Sequence, residues 1–331
     1  MEFVLRIFFI FLVAILNFIL HEFGHLISGL FVRYKFKMLG LVYLMWYKDQ
    51  NTKKIKLRRI KPKVYNYTAF CDMTPCSDSL FPRIFYILGG GLVNLLVAVI
   101  FIICSIYFTQ INFMPYIIVS LGVALYSFIP MMISALPNDG MQVLMLLKSK
   151  DAQRGLFMYD HIQQELSRGR RYRDLDAEIF SVLESSKVNE LYNSMLVVFN
   201  AKRLYDMGEY DLSFECLNKL NINKLSYYIK NMVYIDLLYY FIVHKYDLDM
   251  AKKIYSDKQI MTYLASTAET QVNSARVLSA YSYFIEKNKG KGKIYLENAF
   301  KMLKYTCFTN DGLAIMEKDY CLKLDEVYKK D

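Results

Sequence analysis

Between Arg83 and Asp139 the chain has no Asp, Glu, Lys or Arg, an uncharged run of 55 residues from Ile84 to Asn138. An ordinary soluble domain is about a quarter charged throughout, so this stretch excludes a purely soluble chain and calls for an apolar surrounding. Cysteine is scarce and scattered: of six in 331 residues, only Cys71 and Cys76 lie close together. That excludes the disulfide framework of small secreted domains and fits a reducing compartment. Acidic residues are few in the first half, where residues 1 to 150 carry 15 Lys and Arg against 6 Asp and Glu, while the remainder carries 26 against 25. Most of the excess lies between Lys35 and Lys63, beside apolar segments, where the positive-inside tendency accounts for it. A lipid bilayer is therefore the expected partner, nucleic acid is not, and this basic loop is expected on the cytoplasmic side.

Against these absences stand three apolar segments. Phe3 to Val32 is interrupted only by Arg6, Asn17 and the cluster His21-Glu22-Phe23-Gly24-His25. As a helix, its thirty residues would extend about 45 Å, enough to cross a bilayer. No small-residue cleavage site follows the Ile7 to Leu20 core, so the segment reads as a retained helix rather than a secretory signal. The uncharged run is too long for one span and is broken at Thr109-Gln110-Ile111-Asn112-Phe113-Met114-Pro115, which predicts two antiparallel helices, about 81–108 and 115–136. In the basic loop, 35–80, the β-prone runs Met38 to Tyr47 and Lys53 to Ile60 predict a hairpin.

From Asp151 onward the pattern is helical and the charge balanced. Tyr-Asp-Leu recurs at Tyr210 and Tyr246, an offset of 36 residues, within similar helix-turn-helix surroundings. This pattern resembles tetratricopeptide-type repeats, with Arg276 to Leu303 as a degenerate further unit. The expected organisation is thus mainly α: a membrane-embedded domain over 1–150 with three transmembrane helices and a small β-hairpin, then a cytosolic helical-repeat-like domain over 151–331.

His21 and His25 are four residues apart, so on a helix both imidazoles project from one face and can grip one metal ion, with Glu22 close enough to act on a metal-bound water. Inside an apolar helix such polar groups are costly, about 2.5 to 3.5 kcal/mol for a central charge, and a metal ion would supply their partner. A zinc site that keeps a position open needs a third ligand. The other histidines, His161 and His244, lie in the second half, whereas Asp139 is the only acidic residue between Asp78 and Asp151. If the first helix carries its cluster toward the cytoplasmic end, the third must return to that end, bringing Asp139 to the histidines. Gly89-Gly90-Gly91 and Asn94 lie near the same end of the second helix, where glycines permit close helix contact and Asn94 can hydrogen-bond inside the bundle.

Together, His21 to His25, Gly90 to Ala98 and Asn138 to Gly140 resemble the motifs of the site-2 protease family of intramembrane zinc metalloproteases, in the same order. Gly91 stands where that family has proline, and Asn138 where it has leucine. The resemblance covers residues 1 to about 150. It implies that His21, His25 and Asp139 bind zinc, that Glu22 is the general base, and that Asn94 helps hold the substrate backbone or oxyanion. The substrate implied is a membrane-embedded or membrane-proximal protein or precursor peptide, received by strand addition at the hairpin; a basic loop lying on anionic headgroups is the alternative for that segment. A catalytically silent zinc-binding membrane scaffold, recruiting a protein partner through its helical C-terminal domain, is the alternative for the whole chain. A metal transporter fits less well, because Glu22 lies between the histidines and only three spans are expected.

Overall fold

The computed structural model describes residues 2–41, 43–49, 52–59, 69–110, 112–133, 136–184, 187–305 and 311–330. The chain is mainly helical with a small antiparallel sheet and divides into two compact units, Met1–Gln153 and Arg154–Asp331.

The first unit opens with α1 (Glu2–Phe31), followed by β1 (Lys35–Leu41), β2 (Leu44–Lys48), β3 (Ile55–Arg59) and β4 (Ala69–Thr74). Then come α2 (Leu80–Tyr107), α3 (Met114–Phe128), the two-residue strands β5 (Met132–Ile133) and β6 (Leu136–Pro137), and α4 (Asp139–Lys148). Among the described residues, two helices are long and apolar enough to cross a membrane, over Ile7–Phe31 and Leu80–Tyr107. Only 17% and 33% of their most apolar windows are buried within the protein. Leu12, Leu16, Phe18, Leu96, Val99 and Ile103 face outward, whereas Asn17, Ser28, Asn94, Ser120 and Ser127 are buried. Polar side chains are thus buried beside apolar ones such as Val13, Ile87 and Ala124, while many large apolar side chains are exposed.

Close approach of α1 to α2 depends on glycine. A Cβ on Gly24 would lie 2.4 Å from the Gly89 carbonyl oxygen, and one on Gly89 would lie 2.0 Å from Ser28 Oγ. Successive helical residues point about 100° apart, so the next two glycines meet other neighbours: Gly90 faces the His21 ring, and Gly91 faces Phe128 and Ser127 of α3.

The third apolar helix differs from the expected 115–136. It ends at Phe128 after 15 residues, about 22 Å at 1.5 Å per residue and short of a hydrocarbon core of roughly 30 Å. The reason is Pro130, which biases the residue before it away from helical geometry; Ile129 is extended, with φ −70° and ψ 119°. β5 and β6 pair antiparallel, Met132 with Pro137 and Ile133 with Leu136, and Asp139 starts a new helix instead of closing the third.

The basic segment forms a four-stranded antiparallel sheet of order β3-β2-β1-β4, more than the expected hairpin. The run Met38 to Tyr47 is divided, because the chain reverses between the paired residues Leu41 and Leu44. β2 and β3 do form a hairpin, whose turn is fastened by Asp49: its carboxylate accepts from the Thr52 amide (2.7 Å) and from Lys56 Nζ (2.6 Å). The end of the expected second run, Ile60, and the basic residues Lys61 and Lys63 lie outside the described residues.

α5 (Lys150–Ser167) leads into the second unit. There α6 (Leu191–Met207) and α7 (Tyr210–Asn218) pack together, α8 (Tyr227–Tyr240) and α9 (Leu248–Tyr255) are followed by α10 (Lys258–Thr267), and α11 (Val272–Phe284) packs on α12 (Lys289–Tyr305) before α13 (Gly312–Lys330). Tyr210-Asp211-Leu212 opens α7 and Tyr246-Asp247 precedes α9; the first follows Gly208, whose φ of +90° ends α6 in the left-handed conformation that glycine adopts without strain. Ile162, Leu166, Leu196, Phe199, Met316 and Tyr320 belong to one buried cluster. Arg276 and Glu317 are buried as a bidentate pair at 2.8 and 3.2 Å, with the guanidinium over the Tyr239 ring.

Candidate metal centre

The helical period of α1 places Asn17, His21, Gly24, His25 and Ser28 on one stripe, the stripe that faces α2. His21 Nε2 and His25 Nε2 lie 3.2 Å apart, and Asp139 Oδ2 is 3.2 Å from the first and 3.7 Å from the second. Two nitrogens bound at about 2.0–2.1 Å to a single tetrahedral zinc stand roughly 3.3 Å apart, so this spacing matches a shared ion.

The hydrogen bonds on the far side of each ring decide what the converging atoms are. His25 Nδ1 is 3.0 Å from the Tyr86 carbonyl oxygen, which can only accept, so Nδ1 carries the proton. His21 Nδ1 is 3.2 Å from Asn94 Oδ1. The orientation of that amide is set by its other end, since Asn94 Nδ2 donates to the Asn17 carbonyl (3.0 Å) and to Asn17 Oδ1 (3.1 Å). His21 Nδ1 is therefore the donor as well. In the neutral rings both Nε2 atoms are then lone-pair acceptors, aimed at each other and at a carboxylate oxygen. One shared proton can join two of these atoms but not all three; a divalent cation can serve all three. The donor set, two imidazoles and a carboxylate, is that of an open zinc site.

Asp139 is held from two sides. Ser127 Oγ donates to Asp139 Oδ2 at 2.7 Å. The preceding residue, Asn138, caps α4 by accepting from Met141 N (2.9 Å), accepts from Met131 N (3.0 Å), and donates to the carbonyls of Tyr126 (2.6 Å) and Ile129 (2.7 Å). A leucine in its place could make none of these bonds. Gly140 is equally constrained, since a Cβ there would lie 2.1 Å from the Phe128 carbonyl oxygen.

The Glu22 carboxyl, partly exposed, interacts electrostatically with both histidines and Asp139 and has the Cys71 backbone amide on β4 as a hydrogen-bond partner. Tyr86 Oη donates to the Cys71 carbonyl at 3.3 Å. The strand edge beside the histidines is therefore β4, which pairs with β1 on its other side, and not the β2–β3 hairpin. Asn94, for which the resemblance implies a substrate contact, is engaged within the protein. It is fully buried, its oxygen facing His21 Nδ1 and its nitrogen donating to Asn17.

Tyr86 and Ser127 bond directly to His25 and Asp139, Asn17 bonds to Asn94, and Ser120 bonds to Asn17, and none of these bonds is expected from the sequence. Asn17 had a readable signal, a polar residue one turn before His21 in an apolar helix. Ser120 and Ser127 had none, because a serine in an apolar helix satisfies itself on its own backbone as readily as it serves a neighbour. Comparison with protein-family models, with characterised proteins and with solved structures finds no match to this chain, so the site stands on its own geometry.

Proposed function

We propose that the chain is an intramembrane zinc metalloprotease, hydrolysing a peptide bond of a membrane-embedded or membrane-proximal protein or precursor peptide. The observation that carries this reading is the convergence of two imidazole lone pairs and a carboxylate oxygen within 3.7 Å, on an apolar helix and beside a glutamate. His21, His25 and Asp139 would hold the ion. When bound, zinc supplies Lewis acidity, which lowers the pKa of water and polarises a carbonyl.

The chain's own residues supply the rest. Glu22 accepts the proton of the attacking water as the oxygen–carbon bond forms, then delivers it to the leaving nitrogen as the carbon–nitrogen bond breaks. Asn94 and the Tyr86 carbonyl keep both rings in the tautomer that presents Nε2. An extended substrate segment, which a transmembrane helix must supply by unwinding locally, would reach the centre beside β4, whose Cys71 amide and carbonyl are already engaged by Glu22 and Tyr86. The outward apolar faces of α1 and α2 support a lipid surrounding, and the surplus of Lys and Arg in the sheet segment supports a cytoplasmic position for that segment and for the C-terminal unit. The consecutive helix pairs of that unit support a repeat-like module that recruits a protein partner.

The test compares membrane-peptide profiles from cells carrying the native chain or Glu22→Gln, both shown to retain zinc. An uncut peptide that accumulates only with Glu22→Gln is the predicted result; identical profiles under inducing conditions would leave a zinc-binding scaffold as the better account.

A further inference from the structure

α3 supplies no ligand to the candidate centre, yet it supplies the outer anchor of two. Ser120 and Ser127 lie seven residues apart, two helical turns, on the buried face that also carries Ile117 and Ala124. Both serines are nearly inaccessible, at 0% and 3%. Neither spends its hydroxyl on the backbone of its own helix, the usual fate of serine in apolar surroundings. Ser120 Oγ donates to Asn17 Oδ1 at 2.7 Å, and Ser127 Oγ donates to Asp139 Oδ2 at 2.7 Å.

The first of these bonds begins a chain. Asn17 Oδ1 accepts from both Ser120 and Asn94 Nδ2, while Asn17 Nδ2 donates to the Val13 carbonyl at 3.0 Å and so fixes which end of the amide faces inward. Together with the Asn17 main-chain carbonyl, which accepts from Asn94 Nδ2 at 3.0 Å, this turns the Asn94 oxygen toward His21 Nδ1. Were the Asn17 amide free to flip, its NH2 would meet that of Asn94, leaving the Asn17 main-chain carbonyl alone to hold the Asn94 amide in place. The path from Ser120 to the imidazole crosses α3, α1 and α2 and returns to α1, and each member is buried or partly buried.

We infer that Ser120, acting through Asn17 and Asn94, and Ser127, acting directly on Asp139, are positioning residues that set the metal affinity of the site. This rests on the metal reading above. It makes α3 a helix whose displacement would loosen two ligands together.

The test measures zinc affinity of the full chain in detergent by competition with a chromogenic chelator. Ser120→Ala and Ser127→Ala are each expected to weaken zinc binding roughly 10- to 100-fold, the range for lost outer-layer partners. Ser120→Cys, which keeps the volume but donates weakly, is expected to lose as much, and Ser120→Thr to restore most of it. In an Asn94→Ala background Ser120→Ala is expected to add little, because the path is already cut, while Ser127→Ala keeps its full effect. A purely structural role would give Ser120→Ala the same effect in both backgrounds, and that result overturns the inference. So does native-like affinity in Ser120→Ala and Ser120→Cys while the native chain binds zinc; that outcome leaves the metal reading standing. A native chain that holds no zinc overturns both.

Discussion

A Cβ at position 90 would lie 2.5 Å from both Cε1 and Nε2 of the His21 ring, the edge that carries the ligand atom. Gly90→Ala is therefore expected to push the imidazole aside and weaken zinc binding at least tenfold, by the reasoning that applies to displaced ligand partners, with the helices intact by circular dichroism. A chelator titration of the variant checks it; unchanged affinity would mean that the ring does not sit against α2. In the second unit, burial and then the positive charges of Lys323 and Arg276 lower the His244 pKa to about 4, while Tyr205 Oη meets its Nε2. The folded pKa lies below the unfolded value, so between roughly pH 6.5 and 4 the unfolded chain takes up the proton first. Stability of this unit is expected to be constant above that window and to fall through it by at most about 3 kcal/mol. His244→Gln should flatten the pH dependence of thermal unfolding; an unaltered slope would assign the loss to other groups.

Among the elements, α3 and the link to α4 show how far hydropathy reads. The uncharged run announces apolar helices, but its mean character does not register that Pro130 removes a backbone donor and bends Ile129 out of the helix, so the third helix is shorter than its apolar stretch. Asn138 then takes over the joint between α3 and α4. Its replacement by alanine removes the α4 cap and the ties to Met131, Tyr126 and Ile129, and is expected to cost about 2 to 4 kcal/mol. The accompanying loss of zinc would show in a thermal melt with and without the metal, as a shrinking difference between the two. The sheet was half legible for a related reason. β-prone residues mark β2 and β3, but the reversal between Leu41 and Leu44 contains no Gly, Pro or Asn to signal it, and β4 owes its place to β1 and α1 rather than to its own pattern. The site was more legible than the fold around it. Ligand spacing on one helix is local, and Asp139 stands out by isolation, whereas the task of Asn94 depends on Asn17, which only packing brings to it.

At the scale of the molecule, the two units differ in what they expose. In Arg154–Asp331 the core is apolar apart from paired groups such as Arg276 and Glu317, so Arg276→Met is expected to destabilise by about 3 to 5 kcal/mol, because it leaves a buried carboxylate unpaired. Double replacement with Glu317→Leu should recover most of that loss in a thermal melt. In Met1–Gln153 paired polar side chains such as Asn17, Asn94, Ser120 and Ser127 are buried beside apolar ones such as Val13, Ile87 and Ala124, while α1 and α2 expose many apolar side chains. Buried polar groups are expensive unless they are paired, and no single protein donor serves His21 Nε2, His25 Nε2 and Asp139 Oδ2 together. The measurement that tests this most directly is the zinc content of the purified full chain beside Asp139→Ala and Glu22→Gln. The account predicts one zinc per chain in the native protein and in Glu22→Gln, and none or nearly none in Asp139→Ala after mild chelation; equal zinc in all three, or none in any, would contradict it.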